Sequence, residues 1–209
     1  MDCVAAAKRV GIFGGSFDPP HKFHAAMAAR AYECLGLDLL VFVPAVSSPP
    51  KFGAHVAPFA DRVEMLKLAM EGFGGNFEIS DIETRSRGVS YAAATAEIFA
   101  RRFPNAALYW LMGADMSASL GRWKGVEKLS SLVQFACFDR VGATGEPPAE
   151  FPQNARIVKI PCPTSGVSSS EIRGALARGE SEIFGLSRNV LDYVLRKWLY
   201  RKTNPLTQQ

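Results

Sequence analysis

Apolar residues recur along this chain in two rhythms, and the rhythms alternate. Short, nearly unbroken apolar runs stand at Val10 to Phe13, Leu39 to Ala45 (LLVFVPA), Ala107 to Met112, Val133 to Asp139 and Ile157 to Ile160. Their length and branched or aromatic content predict buried strands. Asn76 to Ile82 is a further candidate strand. Between these runs the apolar residues step at helical spacing: Phe59, Val63, Leu66 and Met70, then Tyr91, Ala94, Thr95, Ile98 and Phe99. An alanine-rich stretch after His24 predicts helix to about Leu35. A last stripe, Leu191, Val194, Leu195, Trp198 and Leu199, predicts a C-terminal helix with all five residues in the core. Strands alternating with helices predict an α/β fold, a Rossmann-like parallel sheet with helices on both faces. Ligands of such sheets bind at the carboxyl ends of the strands. No internal repeat is visible. Gly142 to Pro152 reads as a surface loop, so a single domain over 1–209 is expected, with a helical C-terminal part from about residue 167.

Composition changes this picture little. The 209 residues are 48% apolar and 21% charged, which are globular values and suit one domain with a substantial core. Charge is uneven: from Arg156 onward nine Lys and Arg face four Asp and Glu, whereas the first 155 residues are nearly balanced. A basic C-terminal third suits phosphate binding and equally a solvated helix surface. It is too diffuse to argue for nucleic acid. The four cysteines, Cys3, Cys34, Cys137 and Cys162, lie far apart and read as reduced thiols. No apolar run reaches transmembrane length, and MDCVAAAKRV is too short for a signal peptide. These features lead to the expectation of a cytoplasmic protein without a membrane partner.

Candidate chemistry concentrates in Val10 to His24, VGIFGGSFDPPHKFH. A strand, a Gly14-Gly15 turn and a helix start make an anion site, because a helix N-terminus offers unpaired N–H groups and partial positive charge. His21 and His24 are two of the three histidines and lie three residues apart, which on a helix puts both on one face. Metal binding has no support, since no acidic or cysteine ligand stands at a suitable spacing. The Walker A pattern is absent, and so is the G-x-G-x-x-G of a dinucleotide-binding dehydrogenase.

Five later stretches carry polar residues. Lys51, after Pro49-Pro50, reads as a solvated loop charge. Tyr91 starts a helix, as core or cap packing. Gly113-Ala114-Asp115 ends a strand, and Asp115 suits a helix N-cap as well as a ribose hydroxyl. Trp123-Lys124 follows, the indole being either core or cover for a cationic ring. Ser168 and Glu171 have capping-box spacing, so a helix begins there; Ser168, Ser169, Ser170 and Arg173 also make a second anion site. Arg62 reads as a solvated helix charge without a role.

GGSFDPPHKFH resembles the G-x-F-D-P-x-H-x-G-H signature of the HxGH nucleotidyltransferase superfamily, in the form of its nicotinate mononucleotide adenylyltransferase branch. VSSSEIR is similar to that superfamily's second signature, with Ser170 for a Thr, and Gly113 to Asp115 with Trp123-Lys124 match between them. One residue departs: Phe23 stands where the family has Gly. The resemblance implies adenylyl transfer from ATP to nicotinate mononucleotide, giving deamido-NAD and pyrophosphate. It implies catalytic roles for His21, His24 and Arg173. ATP would further meet Gly14, Gly15, Ser16, Phe17 and Ser168 to Ser170. The mononucleotide would meet Asp18, Lys51, Tyr91, Gly113, Asp115, Trp123 and Lys124. Mg2+ would accompany ATP without a dedicated protein cage. Assembly into a homo-oligomer is left open. The alternatives are another superfamily adenylyltransferase, such as one acting on pantetheine phosphate, and a non-catalytic nucleotide-binding homologue.

Overall fold

A computed structural model describes residues 7–46, 57–85, 91–113, 116, 119–140, 152, 155–162 and 167–201. They fall into two compact units. One comprises Met1–Gly15, Met27–Ala45 and Gly74–Thr164; the other comprises Ser16–Ala26, Val46–Phe73 and Ser165–Gln209.

The first unit is built on a six-stranded sheet: β1 (Arg9–Gly15), β2 (Leu39–Pro44), β3 (Phe77–Ile79), β4 (Ala107–Gly113), β5 (Gln134–Arg140) and β6 (Ile157–Cys162). All five pairings are parallel and the order is β3-β2-β1-β4-β5-β6. Every residue of β2 is buried, as a parallel strand covered on both faces requires. Alternation along the strands sorts the apolar residues into two faces. Val10, Ile12, Val41, Trp110, Met112 and Phe135 share a core with Ala96, Phe99 and Leu129. The last three belong to α3 (Ala92–Arg102) and α4 (Val126–Leu132), the latter a helix the apolar spacing does not predict. Phe13, Phe42 and Phe138 group on the other face, with ring centroids 5.7 and 6.1 Å apart. The chain leaves β1 for β2 on one side and later returns to β4 on the other. The order therefore reverses at β1 and β4, and the carboxyl ends of these two strands, Gly14-Gly15 and Gly113, flank the switch point.

The second unit is helical: the start of α1 (Lys22–Leu35), α2 (Phe59–Ala69), α5 (Ser169–Ala177) and α6 (Arg188–Arg196). Its core joins Met65, Ile172, Leu176, Val190, Leu191, Val194 and Tyr200. Two boundaries differ from expectation. Helix α1 begins at Lys22, so His21 is the residue before it and only His24 lies within it. Helix α6 ends at Arg196, because Trp198 has a left-handed φ of 54°. The five-residue apolar stripe is therefore not one helical face. Leu191 and Val194 are buried, whereas Trp198 is 37% exposed and lies under the Arg201 guanidinium.

Candidate active site

The loop from Ser16 to His21 connects β1 to α1, and the second unit holds it through its carbonyl groups. Arg62 Nη1 donates to Ser16 O at 2.7 Å. Arg173 Nη1 donates to Asp18 O at 2.6 Å, and the Ser169 hydroxyl donates to Pro19 O at 2.9 Å. The first N–H of α1, on Lys22, donates to Gly185 O at 2.8 Å. Gly185 must be glycine: its φ is +91°, and a Cβ there would stand 2.5 Å from Val167. The Asp18-Pro19 peptide is cis.

This support sets the histidine geometry. His21 precedes α1, and its carbonyl accepts the His24 N–H at 2.8 Å. In return His24 Nδ1 accepts the His21 N–H at 3.2 Å. The second bond is one half of a capping box, with imidazole in place of the usual Glu at the third helical position; the other half is made by the His21 carbonyl and not by its side chain. Because Nδ1 accepts, neutral His24 carries its proton on Nε2. The two rings are 3.8 Å apart between centroids, and Phe17 meets His24 edge-on at 5.1 Å. Phe23 turns its ring alongside His21, 6.4 Å away and tilted by 25°. That is how a bulky residue is accommodated at the position where the resembling family has Gly.

Burial decides the charge state. His21 is 6% exposed, and burial pushes its pKa down to about 4. His24 is pushed well below its ordinary value, first by burial and then by its neighbour His21. Both imidazoles are neutral hydrogen-bonding groups at neutral pH. His21 Nδ1 is buried and finds no hydrogen-bond partner among the described residues; the same holds for Arg173 Nε. Buried polar atoms of this kind are costly unless a ligand or water meets them.

Helix α5 begins where the capping-box spacing of Ser168 and Glu171 predicts. Ser168 is its N-cap: its hydroxyl accepts the Glu171 N–H, and the Glu171 carboxylate accepts the Ser168 N–H at 2.8 Å. The Ser168 hydroxyl also lies 2.7 Å from Glu171 Oε2 and donates to it, and this bond first, then the Ser168 N–H, holds the Glu171 carboxyl below its usual range. The side chains of Ser168 and Ser169 thus serve the fold, while the N–H groups of Ser169 and Ser170 stand at the helix N-terminus, where a helix provides no internal partner. Arg173 Nη2 donates to Ser170 Oγ at 3.2 Å, so the guanidinium lies over the first turn of α5.

Two assignments change character. Sequence analysis places Asp18 at the mononucleotide and Phe17 at ATP, but both side chains face inward, at 2% and 1% exposure. Asp18 Oδ1 accepts the Tyr200 hydroxyl at 2.7 Å and the Ala57 N–H at 3.0 Å. Their side chains serve the loop, and only their backbone is left to meet a ligand. Arg62, expected to be solvated, is 3% exposed, with Nε donating to Ala57 O at 3.1 Å.

In the sheet unit the structure brings Tyr91 and Lys124 together, with Lys124 Nζ 4.5 Å from the Tyr91 ring centroid. Tyr91 caps α3 with its backbone and exposes its ring. Trp123 packs partly against the sheet core, and its indole N–H donates to Ser119 Oγ at 3.2 Å. A Cβ on Gly14 would meet Trp110 only at an ordinary 3.5 Å, and one on Gly113 would meet nothing within 4 Å. Packing among the described residues demands glycine at neither position. Lys51, His55 and Asp115 lie outside the described residues. Among the described residues no cluster of three or more His, Cys, Asp and Glu side chains could hold a metal ion. The carboxylate of Asp18 is a poor metal ligand because Oδ1 already has two donors.

Residues 12–175 match the cytidylyltransferase-like family model. A protein of Halalkalibacterium halodurans named "Probable nicotinate-nucleotide adenylyltransferase" is 34% identical over 197 residues, which cover 94% of this chain and 93% of the relative. A protein of the same name from Gemmatimonas aurantiaca is 35% identical, covering 93% of each chain. The chain belongs to the nicotinate-nucleotide adenylyltransferase family. The fold agrees: a Plasmodium falciparum nicotinic acid mononucleotide adenylyltransferase, solved with NaAD, superposes with a TM-score of 0.76 at 21% identity, over 92% of this chain and 97% of that one.

For this adenylyltransferase, sequence reasoning missed Arg62, Tyr200 and the Gly185 carbonyl. Local spacing carries no signal for the first two: each reaches the Ser16–His21 loop from 46 and 182 residues away. Gly185 could have been suspected only as a turn.

Proposed function

We infer that the protein transfers the adenylyl group of ATP to the phosphate of nicotinate mononucleotide, forming deamido-NAD and pyrophosphate. The observation that carries the reading is the pair of neutral imidazoles, His21 buried and His24 half-buried, at a helix start held by hydrogen bonds, in the same unit as a second capped helix start with an arginine fork. Two polyanions must be brought together and the charge that shifts between them stabilised.

A mononucleotide phosphate oxygen attacks the α-phosphorus of ATP in line. A new P–O bond forms, the bond to the bridging oxygen breaks, and pyrophosphate leaves with that electron pair. The nucleophile is already an anion at neutral pH and needs no general base. His24 donates from Nε2–H to the α-phosphate, and His21 serves the neighbouring phosphate oxygens. The N–H groups of Ser169 and Ser170 and the Arg173 guanidinium take the β- and γ-phosphates. Gly14 and Gly113, which packing does not demand, suit close approach of the nucleotide backbone. Lys51 takes the mononucleotide phosphate, Asp115 a ribose hydroxyl, and Tyr91 with Trp123 and Lys124 borders the pyridine ring. Mg2+ would come with ATP and neutralise phosphate charge; a hard cation that dehydrates reluctantly needs no dedicated protein cage.

Pyrophosphate release with MgATP tests the reading, with nicotinate mononucleotide, nicotinamide mononucleotide and phosphopantetheine as parallel acceptors. Preferred use of the acid is expected. Release with phosphopantetheine alone would leave the fold standing and overturn the substrate.

A further inference from the structure

Among the described residues, three that are not glycine hold a left-handed φ: Phe17 at 47°, Trp198 at 54° and Tyr200 at 65°. They stand at the two ends of one buried hydrogen bond. Phe17 immediately precedes Asp18. Trp198 and Tyr200 form the bend after α6 that carries the Tyr200 hydroxyl to Asp18 Oδ1, 2.7 Å away. Side chains with a Cβ are crowded in this backbone region, and such residues persist where their surroundings over-determine them, which is commonly at functional sites.

The surroundings of Asp18 do so. Its carboxylate is 2% exposed, and a buried carboxylate requires donors. Oδ1 has two, the Tyr200 hydroxyl and the Ala57 N–H, while Oδ2 lies 3.9 Å from Arg173 Nη1. The same Nη1 donates to the Asp18 carbonyl. Tyr200 itself is 6% exposed within the helical core, so its hydroxyl is delivered by packing and not by chance contact. Burial, and then the Asp18 charge, push the Tyr200 hydroxyl upward, which keeps the proton on its oxygen and the donor intact at every working pH. Losing that donor would leave the carboxylate to draw more strongly on Arg173, and the loop that carries His21 would lose one of its anchors.

We propose that Tyr200 is a positioning residue for adenylyl transfer, acting through the Asp18 carboxylate to hold the Phe17–His21 backbone and Arg173 in their reactive arrangement. The proposal rests on His21, His24 and Arg173 being the phosphate-handling groups. It makes the segment after α6 part of the catalytic apparatus, although its hydroxyl touches no reacting atom.

Steady-state adenylyl transfer by the full chain, with MgATP and nicotinate mononucleotide, tests it in wild type, Y200F, D18A and the double variant. Y200F keeps the ring and removes one oxygen. Its kcat should fall about tenfold, with KM for each substrate within about twofold, because a positioning group acts chiefly in the transition state. In the D18A background Y200F should add nothing, as expected of two residues acting in series. A wild-type kcat in Y200F, a loss confined to KM, or losses that add in full would each overturn the proposal. Should circular dichroism find Y200F unfolded, D18N decides. An Asn oxygen still accepts from Tyr200, so D18N should keep several times the turnover of D18A; equal turnover would overturn the proposal. A wild-type chain that releases no pyrophosphate would instead strike down the functional reading, and the proposal with it.

Discussion

Phe135 and Asp18 are both buried, and they are held by different kinds of force. Phe135, the second residue of β5, is fully enclosed in an apolar core shared by four strands and two helices. Asp18 is enclosed almost as completely, but its neighbours are a phenol, a backbone N–H and a guanidinium. Apolar packing is non-directional and roughly proportional to area, so it sets stability and tolerates small shifts. Hydrogen bonds to a buried charge are directional and costly to leave unmade, so they set where a backbone lies. The sheet unit uses the first kind to place strand ends. The helical unit adds the second where the chain carries its imidazoles, and there it also keeps three aromatic residues in a crowded backbone region.

Substitutions can break this contrast from either side. Phe135→Ala should have the largest effect on stability, about 4 kcal/mol, lowering the melting temperature by roughly 10 °C. Turnover measured well below that temperature should stay near wild type; a large loss in folded protein would show that the core also tunes the site. His24→Ala should do the reverse. Its kcat should fall about a hundredfold or more, close to 3 kcal/mol of barrier, with substrate binding weakened less. Turnover preserved within a fewfold would remove His24 from the chemistry. Arg62→Met tests the polar clamp directly, since it keeps an apolar chain and leaves the Ser16 carbonyl without its donor. A loss of about 2 kcal/mol in stability is expected, together with slower turnover, read by thermal melts and by the pyrophosphate assay.

Acid should act on the clamped unit in a defined window. The folded pKa of His21 is about 4, below the unfolded value of 6.5. Between those values the unfolded chain binds the proton first, so this stabilising contribution is whole above 6.5 and is lost as pH falls toward 4. His24 shifts in the same direction. His21→Asn should therefore melt with a shallower dependence on pH in that window than wild type, and an unchanged slope would contradict the burial argument. The smallest effect belongs to the exposed pair in the sheet unit. Lys124→Met removes the cation over Tyr91 and should cost about 0.5 kcal/mol of stability. A raised KM for the mononucleotide, with kcat nearly unchanged, would place Lys124 at that substrate.

Much of this was legible without coordinates. The four inner strands fall where nearly unbroken apolar runs lie, because a parallel strand buried on both faces has little room for polar residues; the edge strands β3 and β6 carry Glu78 and Lys159 and are less buried. The capping box at Ser168 and Glu171 was legible because it is a contact over three residues, written in side-chain types. The first helix illustrates the limit. Its alanines announce it, but its start at Lys22, and the imidazole at its third position accepting the His21 N–H, follow from a loop held by distant residues. The same holds for Trp198, whose spacing fits a helix that had already ended.

The sequence by itself therefore determined the α/β class and the capped helix start at Ser168, since these rest on patterns and contacts within a turn or two of chain. Only the tertiary structure decided that β1 lies between β2 and β4, that Arg62 is buried, and that Asp18 serves the loop through Tyr200. Those decisions depend on contacts 29 to 182 residues apart, for which a single chain carries no local signature. Periodicity reports which side of an element is apolar; which distant group fills the space opposite is settled only by folding.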